Sequence, residues 1–145
     1  MENLSENRRA RFDYEILDTF EAGIELLGIE VKSSKLGHMQ LTGSYAHIRD
    51  GELWLINATI PPYQPNNTAP DYNQTRSRRL LLQKDEIKGV LGKLKEKTAL
   101  LIPLRAYIKH NLIKLELGLA RPKKKHDKRE AIKKRGMLRE IRTDM

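Results

Sequence analysis

Residues 113–120 place a large aliphatic side chain at every second position. The apolar positions are Ile113, Leu115, Leu117 and Leu119, and the residues between them are Lys114, Glu116, Gly118 and Ala120. Because successive side chains of a β-strand point to opposite faces, this period predicts a strand with one buried face. Residues 105–110 precede it across His110-Asn111, so we expect the two segments to form an antiparallel pair.

A second hairpin is predicted in the middle of the chain. Asp50-Gly51 separates residues 45–49 from residues 52–56, and glycine tolerates the positive φ of a type I′ turn. Further strands are predicted at residues 12–22, which alternate, and at residues 99–104, which are apolar. Residues 61–79, rich in proline and asparagine, are predicted to form a long loop.

Two segments have the apolar spacing of short helices. The first has Ile24, Leu27, Val31 and Leu36, with Gly37 as its predicted end; the second has Ile87, Val90, Leu91 and Leu94, with Asp85 as its predicted N-cap. Five or six short strands combined with two or three short helices favour a mainly β fold. We expect a small antiparallel barrel of the OB type, an architecture that binds oligonucleotides and structured RNA.

The positive charge is concentrated at the C-terminal end. The 145 residues carry a net charge of +9. Residues 121–145 contain 11 basic and 4 acidic side chains, whereas residues 1–120 contain 17 and 15. We therefore expect one barrel domain at residues 1–120 and a basic tail at residues 121–145. Such a tail favours a polyanion as its partner, while a role in solubility alone and binding to a membrane surface stay open as alternatives.

The tail has the sequence pattern of a conditional helix. Asp127 and Glu130 resemble a capping box, and Ile132, Leu138 and Ile141 lie within one broad apolar stripe. Like charges make an isolated helix of this length marginal in water. We expect the tail to be disordered when free and helical along an anionic surface.

No residue pattern typical of catalysis or metal binding is present in the sequence. The absence of cysteine excludes thiolate zinc sites, disulfides and cysteine nucleophiles. None of the four histidines lies four residues from another, and the glycines at 89–93 lack the spacing of a phosphate loop. We expect no catalytic residue, no metal and no cofactor. An RNA-processing enzyme that uses a carboxylate or His126 is the weaker alternative.

The sequence has neither a long apolar run nor a signal-like start. No apolar stretch has the roughly 18 residues of a membrane-spanning helix, and the first residues are polar and acidic. We expect a cytoplasmic protein with no membrane partner. Trp54, between Leu53 and Leu55, is predicted to lie in the core, whereas Tyr63 and Tyr72 in the long loop are better placed to stack on bases.

Three segments carry motifs of a known family. They are Phe20-Glu-Ala-Gly-Ile-Glu-Leu-Leu-Gly-Ile-Glu-Val-Lys-Ser33, Arg76-Ser-Arg-Arg-Leu-Leu-Leu82 and Lys123-Lys-Lys-His-Asp-Lys-Arg129. With Asn7-Arg-Arg-Ala10 and the Asp50-Gly51 hairpin in matching order, the chain resembles the bacterial SsrA-binding protein (small protein B) family over essentially its whole length.

The resemblance implies a function in trans-translation. Proteins of this family bind the tRNA-like domain of transfer-messenger RNA (tmRNA) and deliver it to ribosomes stalled without a stop codon, so that the nascent peptide is tagged for degradation and the ribosome is released. The tail is implied to become helical in the empty mRNA channel near the decoding centre. The implied partners are tmRNA, the small-subunit rRNA of the stalled 70S ribosome and elongation factor Tu, with the protein itself a monomer. A generic OB-type ribosome-associated RNA-binding protein is the alternative.

The resemblance also implies two sets of binding residues. The tmRNA set is Asn7, Arg8, Glu21, Glu30, Lys32, Ser33, Arg76, Arg78, Arg79 and Leu80. The ribosome set is Lys123, Lys124, His126, Asp127, Lys128, Arg129, Ile132, Leu138 and Ile141. Within these sets, Glu21 is implied to accept hydrogen bonds from sugars or bases, and His126 to stack on a base of small-subunit rRNA.

Overall fold

The computed structural model describes residues 2–64 and 70–123, which form seven strands and three helices. In chain order the elements are β1 (Glu2–Glu6), α1 (Arg8–Asp13), β2 (Tyr14–Ile24), α2 (Gly28–Lys35), β3 (Tyr45–Arg49), β4 (Glu52–Ile56), β5 (Arg78–Leu81), α3 (Lys84–Lys97), β6 (Leu100–Lys109) and β7 (Leu112–Pro122). The mainly β prediction with short helices is therefore confirmed.

The strands form one antiparallel sheet that closes on itself. Their order is β1-β6-β3-β4-β5-β2-β7, and β6 also pairs with β7. Strand β7 pairs along most of its length with β2 on one side and with β6 on the other, while β1 adds to the second half of β6. Closure pairs backbone groups that the edges of an open sheet would leave exposed. The predicted OB-like barrel is confirmed.

The alternation predicted for residues 113–120 places one face of β7 in the barrel interior. Leu115, Leu117 and Leu119 are each at most 1% exposed, and they join one core cluster with Leu53 and Leu55 of β4. Burial of a leucine side chain contributes roughly 1.5–3 kcal/mol, so this cluster is a main source of stability.

Trp54 does not belong to this core, and its predicted core position is wrong. It lies between Leu53 and Leu55 on β4, and both leucines point into the barrel. The two-residue period of the strand therefore turns Trp54 to the outer face, where it is only half-buried.

Both predicted hairpin turns have the backbone geometry of type I′. The φ angles are 54° at Asp50 and 76° at Gly51, and 52° at His110 and 61° at Asn111. Positive φ at both central residues matches the twist of the flanking strands, which is why such turns favour asparagine, aspartate and glycine.

Residues 99–104 and 105–110 were predicted as separate strands, but they form the single strand β6. A bulge between Pro103 and Arg105 shifts the register against β7. Proline lacks the N–H that a regular ladder needs, so a bulge is a suitable position for it. Before the bulge Leu101 pairs with β3, and after it β6 pairs with β1.

The N-terminal prediction needs correction. The strand expected over residues 12–22 begins at Tyr14, because Phe12 belongs to α1, and the preceding polar residues form β1. Helix α1 is held by a second, smaller apolar cluster on the outside of the barrel. Its buried members are Ala10, Ile102, Leu104 and Ala120. This tertiary contact overrides the local alternation.

The two helices predicted from apolar spacing are present with altered limits. Helix α3 follows Gln83, whose backbone N–H donates to the Glu86 carboxylate at 3.3 Å, so Asp85 lies in the first turn and is not the N-cap. Helix α2 ends before Gly37, which has a φ of 83°, as predicted. However, Ile24 belongs to β2, and the fully buried residues of α2 are Glu30, Ser33 and Ser34.

Among the described residues, the helices lack the combination of length and apolar character needed to cross a bilayer.

Candidate nucleic-acid interface

Helix α2 carries a buried carboxylate that forms hydrogen bonds and ion pairs with two arginines. Glu30 has no exposed surface, and the Arg78 guanidinium donates to its Oε2 from Nε at 2.9 Å and from Nη2 at 2.7 Å. Arg76 donates from Nε to Oε2 at 3.0 Å and from Nη2 to Oε1. Charge-assisted bonds with this forked geometry are among the strongest in proteins.

The remaining donors of this cluster bind main-chain carbonyls. Arg78 Nη1 donates to the Ala58 carbonyl at 2.8 Å, and Nη2 donates to the Gln74 carbonyl at 2.9 Å. The Tyr72 hydroxyl lies 2.8 Å from the Ile60 carbonyl and 3.0 Å from Glu30 Oε2. These contacts attach both ends of the segment between β4 and β5 to α2. We call Glu30, Tyr72, Arg76 and Arg78 the Glu30 cluster.

The electrostatics of the Glu30 cluster favour the ionised carboxylate. Burial alone would raise the pKa of Glu30, but the hydrogen bonds from Arg76, the Leu27 backbone N–H and Arg78 outweigh it and lower the pKa to about 2. Burial, followed by the hydrogen bond with Glu30 and the negative charge of that carboxylate, raises the pKa of Tyr72, which therefore stays a neutral hydroxyl. The cluster is a fixed ionic framework at neutral pH.

A second carboxylate, Glu21 on β2, lies on the outer face of the barrel. It accepts a hydrogen bond from the Tyr107 hydroxyl, and the Lys109 ammonium lies 3.3 Å from each carboxylate oxygen. The Tyr107 hydrogen bond is the main cause that lowers the pKa of Glu21, and it is assisted by Lys109. Burial and the Glu21 charge raise the pKa of Tyr107, which keeps its proton as the donor.

The ring of Tyr107 also contacts an arginine. The Arg105 guanidinium lies 4.5 Å from the centre of its ring, and Arg105 donates to Asn3 Oδ1 at 2.8 Å and to Glu116 at 3.4 Å. Tyr107 is buried, whereas the Glu21 side chain is 38% exposed. We call Glu21, Arg105, Tyr107 and Lys109 the Glu21 face: a carboxylate of fixed orientation, open to solvent and flanked by cations.

Asn7 and Arg8, adjacent in the predicted set, have different environments. Asn7 is buried: its backbone N–H donates to the Leu104 carbonyl at 2.8 Å, and its side-chain Nδ2 donates to the Pro103 carbonyl at 2.9 Å. Asn7 therefore fixes the start of α1 to β6. The Arg8 side chain is exposed, 3.8 Å from Glu6.

The other predicted tmRNA residues are divided between surface and interior. Lys32 lies with its ammonium 5.6 Å from the ring centre of Tyr63, and Arg79 is exposed, 3.2 Å from Glu52 and 3.8 Å from Glu25. Ser33, Arg78 and Leu80 are buried. The structure thus brings Glu30, Arg76 and Arg78 together, and it leaves Glu21 and Arg79 in separate contacts.

The prediction from sequence missed the partners of Glu21. Arg105, Tyr107 and Lys109 alternate along β6, so the period of two that identified β7 could have placed them on one face. Their contact with Glu21 was not predictable in this way, because it crosses β7 to a strand more than 80 positions earlier. Leu81, next to the predicted Leu80, is the exposed member of that pair.

Only the first residue of the predicted ribosome set lies in the described chain. The Lys123 backbone N–H donates to the Asp13 carbonyl at 2.9 Å, immediately after β7 ends at Pro122. The others, Lys124, His126, Asp127, Lys128, Arg129, Ile132, Leu138 and Ile141, lie outside the described residues, as does the predicted tail helix. Within residues 2–64 and 70–123, no three acidic or histidine side chains are grouped as metal ligands would be.

A closed antiparallel barrel with an oriented acceptor and exposed cations on its outer face belongs to the class of small RNA-binding β-barrel proteins. The model of the SmpB protein family matches residues 4–145. The chain therefore belongs to the SmpB protein family, and the resemblance identified in the sequence is confirmed. This family consists of RNA-binding adaptors, which confirms the prediction that the chain is not an enzyme.

Individual relatives are similar over nearly the whole chain. The SsrA-binding protein of Chlorobaculum tepidum is 56% identical over 136 residues, covering 93% of this chain and 86% of that protein. The SsrA-binding protein of Thermosynechococcus vestitus is 48% identical over 142 residues, covering 98% and 93%. A solved chain described as "tmRNA-SmpB: a journey to the center of the bacterial ribosome" is 47% identical, with a TM-score of 0.68 and coverage of 88% of this chain and 92% of that chain.

Proposed function

We propose that this protein is the RNA-binding adaptor of trans-translation, which binds the tRNA-like domain of tmRNA and delivers it to ribosomes stalled without a stop codon. The observation that carries the proposal is the SmpB family match across residues 4–145. Relatives named SsrA-binding protein, and the similar chain described with tmRNA and the bacterial ribosome, support both partners.

The Glu21 face supplies the chemistry for recognition of the tRNA-like domain. An ionised carboxylate only accepts hydrogen bonds, so Glu21 pairs with sugar hydroxyls or base N–H groups and not with phosphate. Tyr107 and Lys109 fix its orientation before RNA binds, which reduces the ordering cost of association. The exposed cations Arg8, Lys32 and Arg79 and the partly exposed Arg76 position phosphates of the same RNA.

The buried members of the predicted set act indirectly in this proposal. Asn7, Glu30, Ser33, Arg78 and Leu80 have little or no exposed surface, so they hold the framework on which the accessible residues stand. The Glu30 cluster in particular fixes Arg76, which is partly exposed, at the end of the long loop.

The basic tail forms the second module of the proposal. Lys123, Lys124, Lys128 and Arg129 contact rRNA phosphates in the empty mRNA channel, and His126 stacks on a base of the small-subunit rRNA. On the ribosome the tail becomes helical, with Ile132, Leu138 and Ile141 along its apolar stripe and Asp127 at its start. The tail thereby reports that no mRNA follows, and the nascent peptide is then tagged for degradation.

The adaptor acts in the cytoplasm as a monomer, with elongation factor Tu in its delivery complex. A single sedimenting species of monomer mass, and capture of elongation factor Tu only when aminoacylated tmRNA is present, are the expected results. A stable dimer in the absence of RNA would contradict this part of the proposal.

The test of the two-module function is a truncation after Lys123. This cut keeps all of β7 and the hydrogen bond from Lys123 to Asp13. We expect tmRNA affinity to stay within about twofold of the full chain, whereas tagging of peptides on stalled ribosomes is lost. Loss of tmRNA binding would contradict the assignment of that RNA to the barrel. Equal binding to tmRNA and to unrelated structured RNA would favour the generic ribosome-associated alternative.

A further inference from the structure

The outer side of β3 and β4 carries ring side chains that belong to neither predicted set. The residues are Tyr45, His47 and Arg49 from β3 and Trp54 from β4. His47 lies directly opposite Trp54 in the register, and Tyr45 and Arg49 flank His47 at a distance of two residues along the strand. We call these four residues the aromatic face.

The rings of the aromatic face are open to solvent. Tyr45 is 41% exposed, His47 is exposed, and Trp54 is half-buried. The barrel interior does not use them, because Ala46, Leu53 and Leu55 occupy the inward positions of the same strands. Rings on the outward face of a strand add little to core packing. Their apolar surface is therefore free to contact a ligand.

Arg49 adds a planar cation to this surface. Its guanidinium lies 5.0 Å from the centre of the Trp54 ring, which is a cation–π contact. Glu52, which is opposite Arg49 in the register, forms its ion pair with Arg79 at 3.2 Å. The positive charge of Arg49 thus stays with the aromatic face, where it suits a phosphate or the face of a base.

We propose that the aromatic face binds unpaired RNA nucleotides by stacking. Positions two apart on a strand are separated by about 6.8 Å, so Tyr45 and His47 accept neighbouring bases that are unstacked from each other. Arg49 pairs with a phosphate of the same strand. Paired bases hide their faces inside a helix, so the surface selects single strands over duplexes.

This surface uses other strands than the Glu21 face, and its Trp54 lies opposite Arg79 of β5 in the register. The Glu21 face is built on β2 and β6, whereas the aromatic face is built on β3 and β4. The proposal therefore gives the barrel two kinds of RNA contact. One accepts structured RNA through an oriented carboxylate, and the other accepts single-stranded RNA through rings.

The chain contains one tryptophan, so the fluorescence of Trp54 reports directly on its surroundings. The experiment titrates the full-length protein with a short oligoadenylate, with the same strand annealed to oligouridylate, and with inorganic polyphosphate. We expect saturable quenching by the single strand, and weak or no quenching by the duplex and by polyphosphate. The polyphosphate arm separates stacking from the general affinity of the basic tail for anions.

Two matched variants locate the binding. Tyr45→Ala removes an exposed ring and weakens oligoadenylate affinity about tenfold, the scale of one base–aromatic stack, whereas Tyr45→Phe keeps the ring and leaves the affinity unchanged. Glu21→Gln is expected to leave the quenching by oligoadenylate unchanged and to weaken tmRNA binding. The two binding activities would then be lost independently of each other. Absence of quenching, equal quenching by duplex or polyphosphate, or full affinity in Tyr45→Ala would each overturn the proposal.

Discussion

The Tyr107 hydroxyl donates a hydrogen bond to the Glu21 carboxylate from the far side of β7, which runs between their two strands. In the register Glu21 lies opposite Glu116 of β7, and Tyr107 lies opposite Lys114. A long, rigid side chain thus connects two strands that share no backbone hydrogen bond at this point. The orientation of the exposed carboxylate depends on it.

Tyr107→Phe tests this dependence. The ring and its contact with Arg105 remain, but Glu21 loses a donor, so its pKa rises toward the ordinary value and its orientation is less restricted. We expect a three- to tenfold loss of affinity for tmRNA, on the order of one net hydrogen bond. A double-mutant cycle with Glu21→Gln measures the coupling. Additive effects of the two substitutions would show that Tyr107 does not act through Glu21.

The Glu30 cluster predicts a large stability effect from a small chemical change. Glu30→Gln keeps the shape of the side chain but leaves Arg78 buried without its counter-charge. We expect a loss of about 3–5 kcal/mol in the free energy of unfolding, measured by urea denaturation. Glu25→Gln is the matched control, because Glu25 is an exposed partner of Arg79, and we expect it to change stability by less than about 1 kcal/mol. Similar values for the two variants would contradict a structural role for the cluster.

The same carboxylate predicts how stability depends on pH. The pKa of Glu30 is about 2 in the folded protein against an ordinary value of 4.5, so unfolding takes up a proton in the pH range between these values. This contribution, on the order of 3 kcal/mol, is complete above about pH 5 and is lost as the pH falls toward 2. Urea denaturation at a series of pH values should show an acid limb that is less steep in Glu30→Gln. If the acid limb were equally steep in Glu30→Gln, other carboxylates would be the cause of the acid sensitivity.

Substitutions at two glycines are expected to change the stability of the protein in opposite directions. A Cβ at Gly118 of β7 would lie 3.1 Å from Leu104 Cδ1 and 3.3 Å from Ile16 Cγ2, inside the small cluster under α1. Gly118→Val should therefore destabilise the protein by about 1–3 kcal/mol. A Cβ at Gly89 of α3 meets no atom within 4 Å, so Gly89→Ala should stabilise it by about 1 kcal/mol. Thermal unfolding of both variants measures the difference, and a neutral Gly118→Val would mean that the cluster can expand.

The tail predicts a difference in salt dependence. Residues 121–145 contain 11 basic and 4 acidic side chains, and each phosphate contact adds to the slope of log affinity against log salt concentration. Ribosome binding by the full chain should fall more steeply with salt than binding by the chain truncated after Lys123. Equal slopes would assign the phosphate contacts to the barrel.

The sequence predicted those parts of the fold that depend on neighbouring residues. The period of two in β7, the type I′ turn at Asp50-Gly51 and the hairpin around His110-Asn111 were correct, because strand alternation and turn propensity are local properties. Helix α2 was located, but its buried face was not. Glu30 faces inward there because an arginine 48 positions later supplies the counter-charge. No local pattern contains that information.

For the binding residues, too, local sequence features were predictable and long-range contacts were not. Resemblance selected Glu21, and the exposed cations Arg8 and Arg79, from motifs alone. Burial was not readable from those motifs, since the buried Asn7 and Arg78 belong to the same motifs as the exposed Arg8 and Arg79. Trp54 was misplaced for a related reason: an apolar run has no visible period, so only the strand pairing decides which residues face inward.

The hydrogen bond from Lys123 to the Asp13 carbonyl gives the final 22 residues a fixed origin on the barrel, at the junction of α1 and β2. From that origin they extend at most about 33 Å as a helix and about 75 Å as an extended chain. The orientation of the barrel on its RNA therefore determines which region lies within reach of these residues. The proposed docking of the barrel and the proposed contact of the tail with the mRNA channel are therefore geometrically coupled.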